Sequence, residues 1–284
     1  MPTTNVVPHL FNAWTGSQEP IAVYEMNDDG FGIPVTLEHF QSRFVAFLPS
    51  DAAPGGHVLS HSENIAEIRA TPSGLEAYVV DAKTAEVVLS NRNETVVIPE
   101  VARPLPTVGE LGPWKLRVQS HGPASNDSVE SAVETIEVGT LQKLLPWTEI
   151  PQLAQVSGVG TYETSFDFAA GAGGDATADG LALRLSFGPV RNTIHAWVNG
   201  RQLPPLDLTD AVSDVTEYLV DGRNSVRVEV TSSLLNAVKA RGPGALKSAS
   251  LGPRNPDLIT GPDFDEFGLV GPVVGQVLRR VTVL

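Results

Sequence analysis

Two groups of side chains in this sequence could do chemistry on a ligand. Asp263, Asp265 and Glu266 bunch together just before the run FGLVGP, after a long Gly- and Pro-rich stretch. Cleaving a glycosidic bond takes two carboxylates about 5 to 9 Å apart on either side of it, so this cluster is where an acid or base would be sought. Nothing in the local sequence marks one of the three as desolvated, the usual origin of a catalytic pKa, and solvated loop acids or a calcium site is the simpler reading. Recognising a sugar asks for less: an aromatic platform with amides, carboxylates or a guanidinium around it. Trp147, Trp197, Arg191, Asn192, Asp265 and Glu266 supply that set. Each has a bland alternative. Trp197 lies in a strand-like run and reads as core, Trp147 follows Pro146 and reads as a plug at a domain edge, and Arg191-Asn192 sit where a turn is expected.

Other chemistries fare worse. The chain has no cysteine, which removes disulfides, zinc-thiolate sites and thiol nucleophiles. No G-x-S-x-G elbow occurs. Among the six histidines, His57 and His61 are four apart, but GGHVLSHSE reads as loop, where that spacing does not place two rings on one helix face. Asn27-Asp28-Asp29 and Asp207/Asp210/Asp214 could each offer oxygens to calcium, although neither shows a full calcium loop; turn formation explains both. No catalytic residue and no cofactor is assigned, and calcium stays open. Asn93-Glu94-Thr95 and Asn126-Asp127-Ser128 match the glycosylation triplet, which arises often by chance.

The elements that must position these groups are short strands. Gly (26) and Pro (22) recur between apolar runs in 284 residues, as expected of an all-β sandwich. Strands are predicted near 21–25, 33–37, 43–48, 65–70, 75–81, 85–90 and 95–98, then at 114–120, 134–141, 160–168, 181–190, 194–203, 226–230 and 276–284. Asn199-Gly200 between two alternating runs predicts a type I′ hairpin, because that turn needs φ > 0 at both central residues. SSLLNAVKA (232–240) reads as a short helix. DVTEYL reads as another, with Asp214 and Glu217 at capping-box spacing. The stretch 99–113, with four prolines, reads as a linker. It divides the chain into 1–103, an accessory β-sandwich, and 104–284. The Gly- or Pro-rich insertions 169–180 and 240–263 interrupt the second part.

Charge narrows the partners. With 19 basic and 33 acidic residues the net charge is −14, and no basic run exists to neutralise phosphates, so nucleic acid is not expected. No apolar run reaches the ~18 residues needed to cross a membrane. MPTTNVVPHLF shows no basic segment followed by an apolar one, so no signal peptide is visible. An extracellular or periplasmic location is expected only if the chain is the downstream part of a secreted precursor.

The order of motifs between residues 158 and 230 resembles the sugar-binding domain of glycoside hydrolase family 2 and its relatives. The residues that carry it are Tyr162, Phe187-Gly188-Pro189-Val190, Trp197-Val198-Asn199-Gly200, Asp214-Val215-Thr216-Glu217-Tyr218-Leu219 and Gly222-Arg223-Asn224-Ser225-Val226, with FGLVGPV (267–273) similar to the closing segment. Trp14-Thr15-Gly16, IPVTL, QSRFVAFLP, LGPWKLRV, LPWTEIP and SGVGTYETSF resemble the C-terminal region of family 106 α-L-rhamnosidases. The resemblance implies a galactose-binding-like jelly roll over 104–284 and a carbohydrate-binding, scaffolding role with a glycan as partner. It also implies a catalytic barrel upstream, whose acid and base have no counterpart here. A small intact glycoside hydrolase using Asp265 or Glu266 as acid, and a ligand-free structural module, are the competing readings.

Overall fold

In the computed structural model the chain is all-β, and residues 6–28, 30–49, 56–91, 95–123, 131–169, 180–241 and 263–283 are described. Asn93 and Glu94 of the first glycosylation triplet, the whole of the second, Asp29, and most of the insertions 169–180 and 240–263 lie outside the described residues.

Two six-stranded sheets dominate. One runs, edge to edge, through Ser131–Leu141, Trp114–Pro123, Gly158–Phe168, Gly222–Thr231, Thr193–Val198 and Arg201–Gln202. All its pairings are antiparallel. The other runs through Val212–Asp214, Leu181–Ser186, Val274–Thr282, Gly74–Val79 and Ile65–Thr71, with Gly109–Glu110 also paired to the Val274–Thr282 strand. Alternation explains which residues face inward. Leu116, Val118, Tyr162, Val226, Val228, Val230, Ile194, Ala196 and Val198 from the first sheet meet Leu183, Leu185 and Val277 from the second in one buried core. Side chains of successive strand residues point to opposite faces, so the residues between them look outward.

A second core gathers Val58, Ile65, Leu75, Ala77, Val79, Val87 and Leu89. Around it lie the small sheets formed by Gln18–Pro20, Val6–Phe11 and Phe44–Pro49, and by Thr95–Ile98, Ala85–Leu89 and Val58–His61. The strand Val274–Thr282 joins the two regions. Its residues 274–279 pair with Leu181–Ser186, and its residues 279–282 pair with Glu76–Val79. Where the two meet, Tyr78, Ala182 and Leu278 form a small buried cluster of their own.

Several local expectations need correction. Residues 33–37 form no strand: after Gly30–Gly32 the chain is irregular to Arg43, with Val35 and Leu37 exposed. Ile21 and Val23 make only isolated bridges, and the strand lies later, at Glu25–Asn27. DVTEYL is a single 3-10 turn, Thr216–Tyr218. Asp214 does not close a capping box with Glu217; its Oδ1 accepts from the Thr216 amide (3.1 Å) and hydroxyl (2.6 Å) while Oδ2 faces Arg69. The helix in SSLLNAVKA is short, Leu235–Lys239. The hairpin is as predicted, with φ of 51° at Asn199 and 76° at Gly200.

Candidate functional site

The six residues proposed for sugar contact separate into three environments. Trp147 is fully buried. Its Nε1 donates to the Tyr162 hydroxyl at 2.8 Å, and its backbone amide donates to the Phe267 carbonyl at 2.9 Å. The indole occupies space that glycines leave clear: a Cβ on Gly160 would stand 2.6 Å from the ring, and one on Gly268 would stand 2.5 Å from it. As a contact platform Trp147 is excluded by burial; it is a core residue.

The segments that carry Arg191-Asn192 and Asp265-Glu266 come together just before the strand Thr193–Val198. Val190 and Leu269 bridge the two. The Arg191 guanidinium donates to Glu266 Oε2 at 2.9 Å, and both side chains are about half exposed, at 53% and 50%. Half-buried Asn192 follows, just before the strand Thr193–Val198. Two residues not foreseen from the sequence fix this rim. Asn236 is fully buried, and its amide clasps the Asp265 backbone from both sides: Nδ2 donates to the Asp265 carbonyl (2.8 Å) and Oδ1 accepts from the Asp265 amide (2.9 Å). Lys239, one helical turn on, donates to the Asp263 carbonyl at 2.8 Å and lies 3.5 Å from the Asp265 carboxylate. The i, i+3 spacing of Asn and Lys on a short helix was the available signal.

Such a rim offers a guanidinium and two carboxylates to solvent over an ordered backbone, while the Lys239 side chain is only 10% exposed. These are the donors and acceptors that adjacent sugar hydroxyls use, and Arg presents its N–H groups in a fixed fork. It does not form a deep carboxylate dyad. Asp265 and Glu266 each face a cation, and both are exposed.

Trp197 stands elsewhere. Because Ile194, Ala196 and Val198 point into the core, Trp197 and His195 point out from the same strand, so the reading of Trp197 as core is wrong by one residue of parity. It is half-buried on the outer sheet face. The Arg227 guanidinium lies 3.8 Å from the ring centroid, and the His195 ring stacks at 6.1 Å. His195 Nδ1 is 3.2 Å from the Gln202 amide nitrogen, and Arg227 pairs with Glu229 at 3.4 Å.

The remaining candidates are structural. Asp207 accepts from the amide and hydroxyl of Thr209 and from Gln41, as a turn former does. His57 stacks on Tyr24 at 3.8 Å, with Ser90 Oγ 3.0 Å from its Nδ1, and burial lowers its pKa. Among the described residues no group of three or more His, Asp or Glu side chains is placed to hold a metal ion.

No protein-family model matches the sequence, and no curated protein matches it. Solved structures similar to part of the chain include a rhamnosidase from Novosphingobium sp. PP1Y (16% identity, TM-score 0.42, 80% of this chain and 25% of that one). A β-glycosidase from Bacteroides vulgatus is 19% identical with a TM-score of 0.33, over 61% of this chain and 20% of the other. A β-D-mannosidase from Dictyoglomus thermophilum is 13% identical with a TM-score of 0.31, over 61% and 22%. The chain therefore spans a quarter or less of the length of each of these proteins.

Proposed function

We propose that this chain is a carbohydrate-binding, scaffolding β-module of an α-L-rhamnosidase-like glycoside hydrolase, and that it binds glycan without cutting it. The observation that carries the reading is the convergence of Arg191, Asn192, Asp265 and Glu266 on one rim, over a backbone pinned by buried Asn236. Polar groups held in place before the ligand arrives lower the ordering cost of binding. The motif residues of the sequence resemblance support the same reading as scaffold: Tyr162 and Phe187 lie in the core, where the Tyr162 hydroxyl accepts from the Leu269 amide, and Asn199 and Asn224 form a network at the opposite end of the strand Thr193–Val198. The acids of the rim are exposed and ion-paired, an arrangement suited to hydroxyl recognition and unlike the desolvated, raised carboxyl that protonates a leaving group.

Calorimetric titration of the purified chain with rhamnose-containing oligosaccharides tests the proposal. Binding is expected, with Arg191→Ala and Glu266→Gln each weakening it about tenfold, or about 1.4 kcal/mol. Aryl rhamnosides and galactosides are expected to pass through unchanged. Sustained turnover by a clean preparation, or no glycan bound at all, overturns the assignment.

A further inference from the structure

The outer face of the sheet that carries Trp197 is built unlike a plain solvated surface. Pairing aligns Lys115, Glu163, Arg227, Trp197 and Gln202 side by side across five strands, all on the outward face. A neighbouring row holds Arg117, Thr161, Glu229 and His195. Every side chain of the first row except Lys115 ends in a planar group: carboxylate, guanidinium, indole, amide. Lys115, Arg117 and Glu163 make no ion pair among the described residues, and Arg227 makes one, to Glu229.

We infer that this face binds an extended, neutral oligosaccharide laid across the strands, with Trp197 and Arg227 at its centre. The inference rests on the glycan-binding reading above but uses a separate surface. Three features select the ligand. A partly exposed indole offers apolar surface to the C–H face of a sugar ring, and the guanidinium stacked on one of its faces at 3.8 Å offers N–H groups to hydroxyls beside it. Strands are spaced about 4.8 Å apart, so a row of five covers about 19 Å, long enough for several linked sugars and too long for one. The face also balances Lys115, Arg117 and Arg227 against Glu163 and Glu229 on a chain whose net charge is −14. That local balance suits an uncharged chain of hydroxyls better than a polyanion or polycation.

The experiment is a fluorescence titration. Of the four tryptophans, Trp114 and Trp147 are buried, so replacing Trp14 by Phe leaves Trp197 as the indole that solvent reaches. In that background, cellotetraose, mannotetraose and a rhamnose-containing tetrasaccharide are titrated, with their monosaccharides as controls. A saturable emission change is expected with at least one tetrasaccharide and with no monosaccharide. Arg227→Ala, which spares the buried face of its strand, is expected to weaken it at least tenfold, and so is Trp197→Ala measured by calorimetry. The rim variant Arg191→Ala/Glu266→Gln is expected to keep it. Binding that disappears in the rim variant while Trp197 stays silent overturns this inference alone. Silence in every arm overturns it together with the proposed function. An emission change driven by protein concentration alone would mean that a second copy covers the face, and also overturns it.

Discussion

Asn224 has no exposed surface, and its amide is fully used. Oδ1 accepts from the Val220 amide and from Asn199 Nδ2, each at 2.8 Å, while Nδ2 donates to the Val220 and Gly222 carbonyls at 2.9 Å. Asn199 in turn donates to the Tyr218 carbonyl and accepts from the Ser225 amide, both at 2.9 Å. The Asn of each motif therefore fixes the turn of the other. Asn224→Leu keeps the branched shape, with somewhat larger methyl groups, and removes every bond. With about 1–3 kcal/mol for each buried group left unpaired, it is expected to cost at least about 3 kcal/mol in urea denaturation. Tyr162 gives a second expectation. Burial pushes its hydroxyl up to about 12, although hydrogen bonds from the Leu269 amide and Trp147 Nε1 pull the other way. A folded pKa above the unfolded value near 10 means the native state holds the proton longer. The stabilisation is complete below pH 10 and falls away as pH rises toward 12; Tyr162→Phe should be less stable at neutral pH and lose that alkaline slope. Such roles were only half legible. The sequence displayed Asn199-Gly200 as a turn because φ > 0 is a local demand. It could not display the bond to Asn224, twenty-five residues away, or tell that Trp147 fills a space cleared by Gly160 and Gly268.

At the scale of elements, alternation was the readable signal and its failures are instructive. TIHAWV and GRNSVRVEVT alternate cleanly, and their buried faces are those the pattern dictates. The same pattern already carried the outward setting of Trp197, which an appeal to tryptophan as a core residue obscured. IPVTL is apolar yet makes no strand, because pairing partners decide a strand and none pairs with it among the described residues. The strand Val274–Thr282 was expected as a closing strand, but not as the element shared with Glu76–Val79, since register across two hundred residues leaves no local trace. It is tied down at the residue where its two pairings meet: Arg279 donates to the Pro99 carbonyl at 2.6 Å and to the Lys83 carbonyl at 3.0 Å. Removing residues 274–284 should strip a partner from both Leu181–Ser186 and Gly74–Val79. Hydrogen exchange is expected to show protection lost in both strands, with Trp114–Pro123 and Gly158–Phe168 following as their core opens. Loss confined to Leu181–Ser186 would show that the shared strand does not couple the two cores.

Over the whole molecule, what couples the two cores besides that strand is a polar junction with tyrosine at its heart. Arg69 donates to Glu67 and to Asp214, each at 2.9 Å, Arg184 pairs with Glu67, and both guanidinium groups lie over the Tyr78 ring, at 4.6 and 5.2 Å. Glu67, Arg69 and Tyr78 come from the strands Ile65–Thr71 and Gly74–Val79, and Arg184 and Asp214 from the far end of the same sheet. Gln41 and Arg43 reach Asp207 in a second contact of this kind. Burial alone would raise the Asp214 pKa, but hydrogen bonds from the Thr216 hydroxyl and amide, with Arg69, more than offset it and hold the carboxyl below its usual value. A depressed folded pKa stabilises the native state above the unfolded value, about 3.9, and that contribution is lost as pH falls below it. One cooperative thermal transition is therefore expected at neutral pH. Acidification should loosen the junction before either core, splitting calorimetric unfolding into two steps. A double-mutant cycle with Arg69→Met and Asp214→Asn measures the link directly. A coupling of about 0.5–3 kcal/mol is expected for contacting residues in one network, and it should shrink toward zero once the pH falls below the usual carboxylate range far enough for the depressed Asp214 carboxyl to take up its proton. Coupling that persisted unchanged in acid would mean the two halves are held by apolar contact around Tyr78, Ala182 and Leu278, with the charges as bystanders.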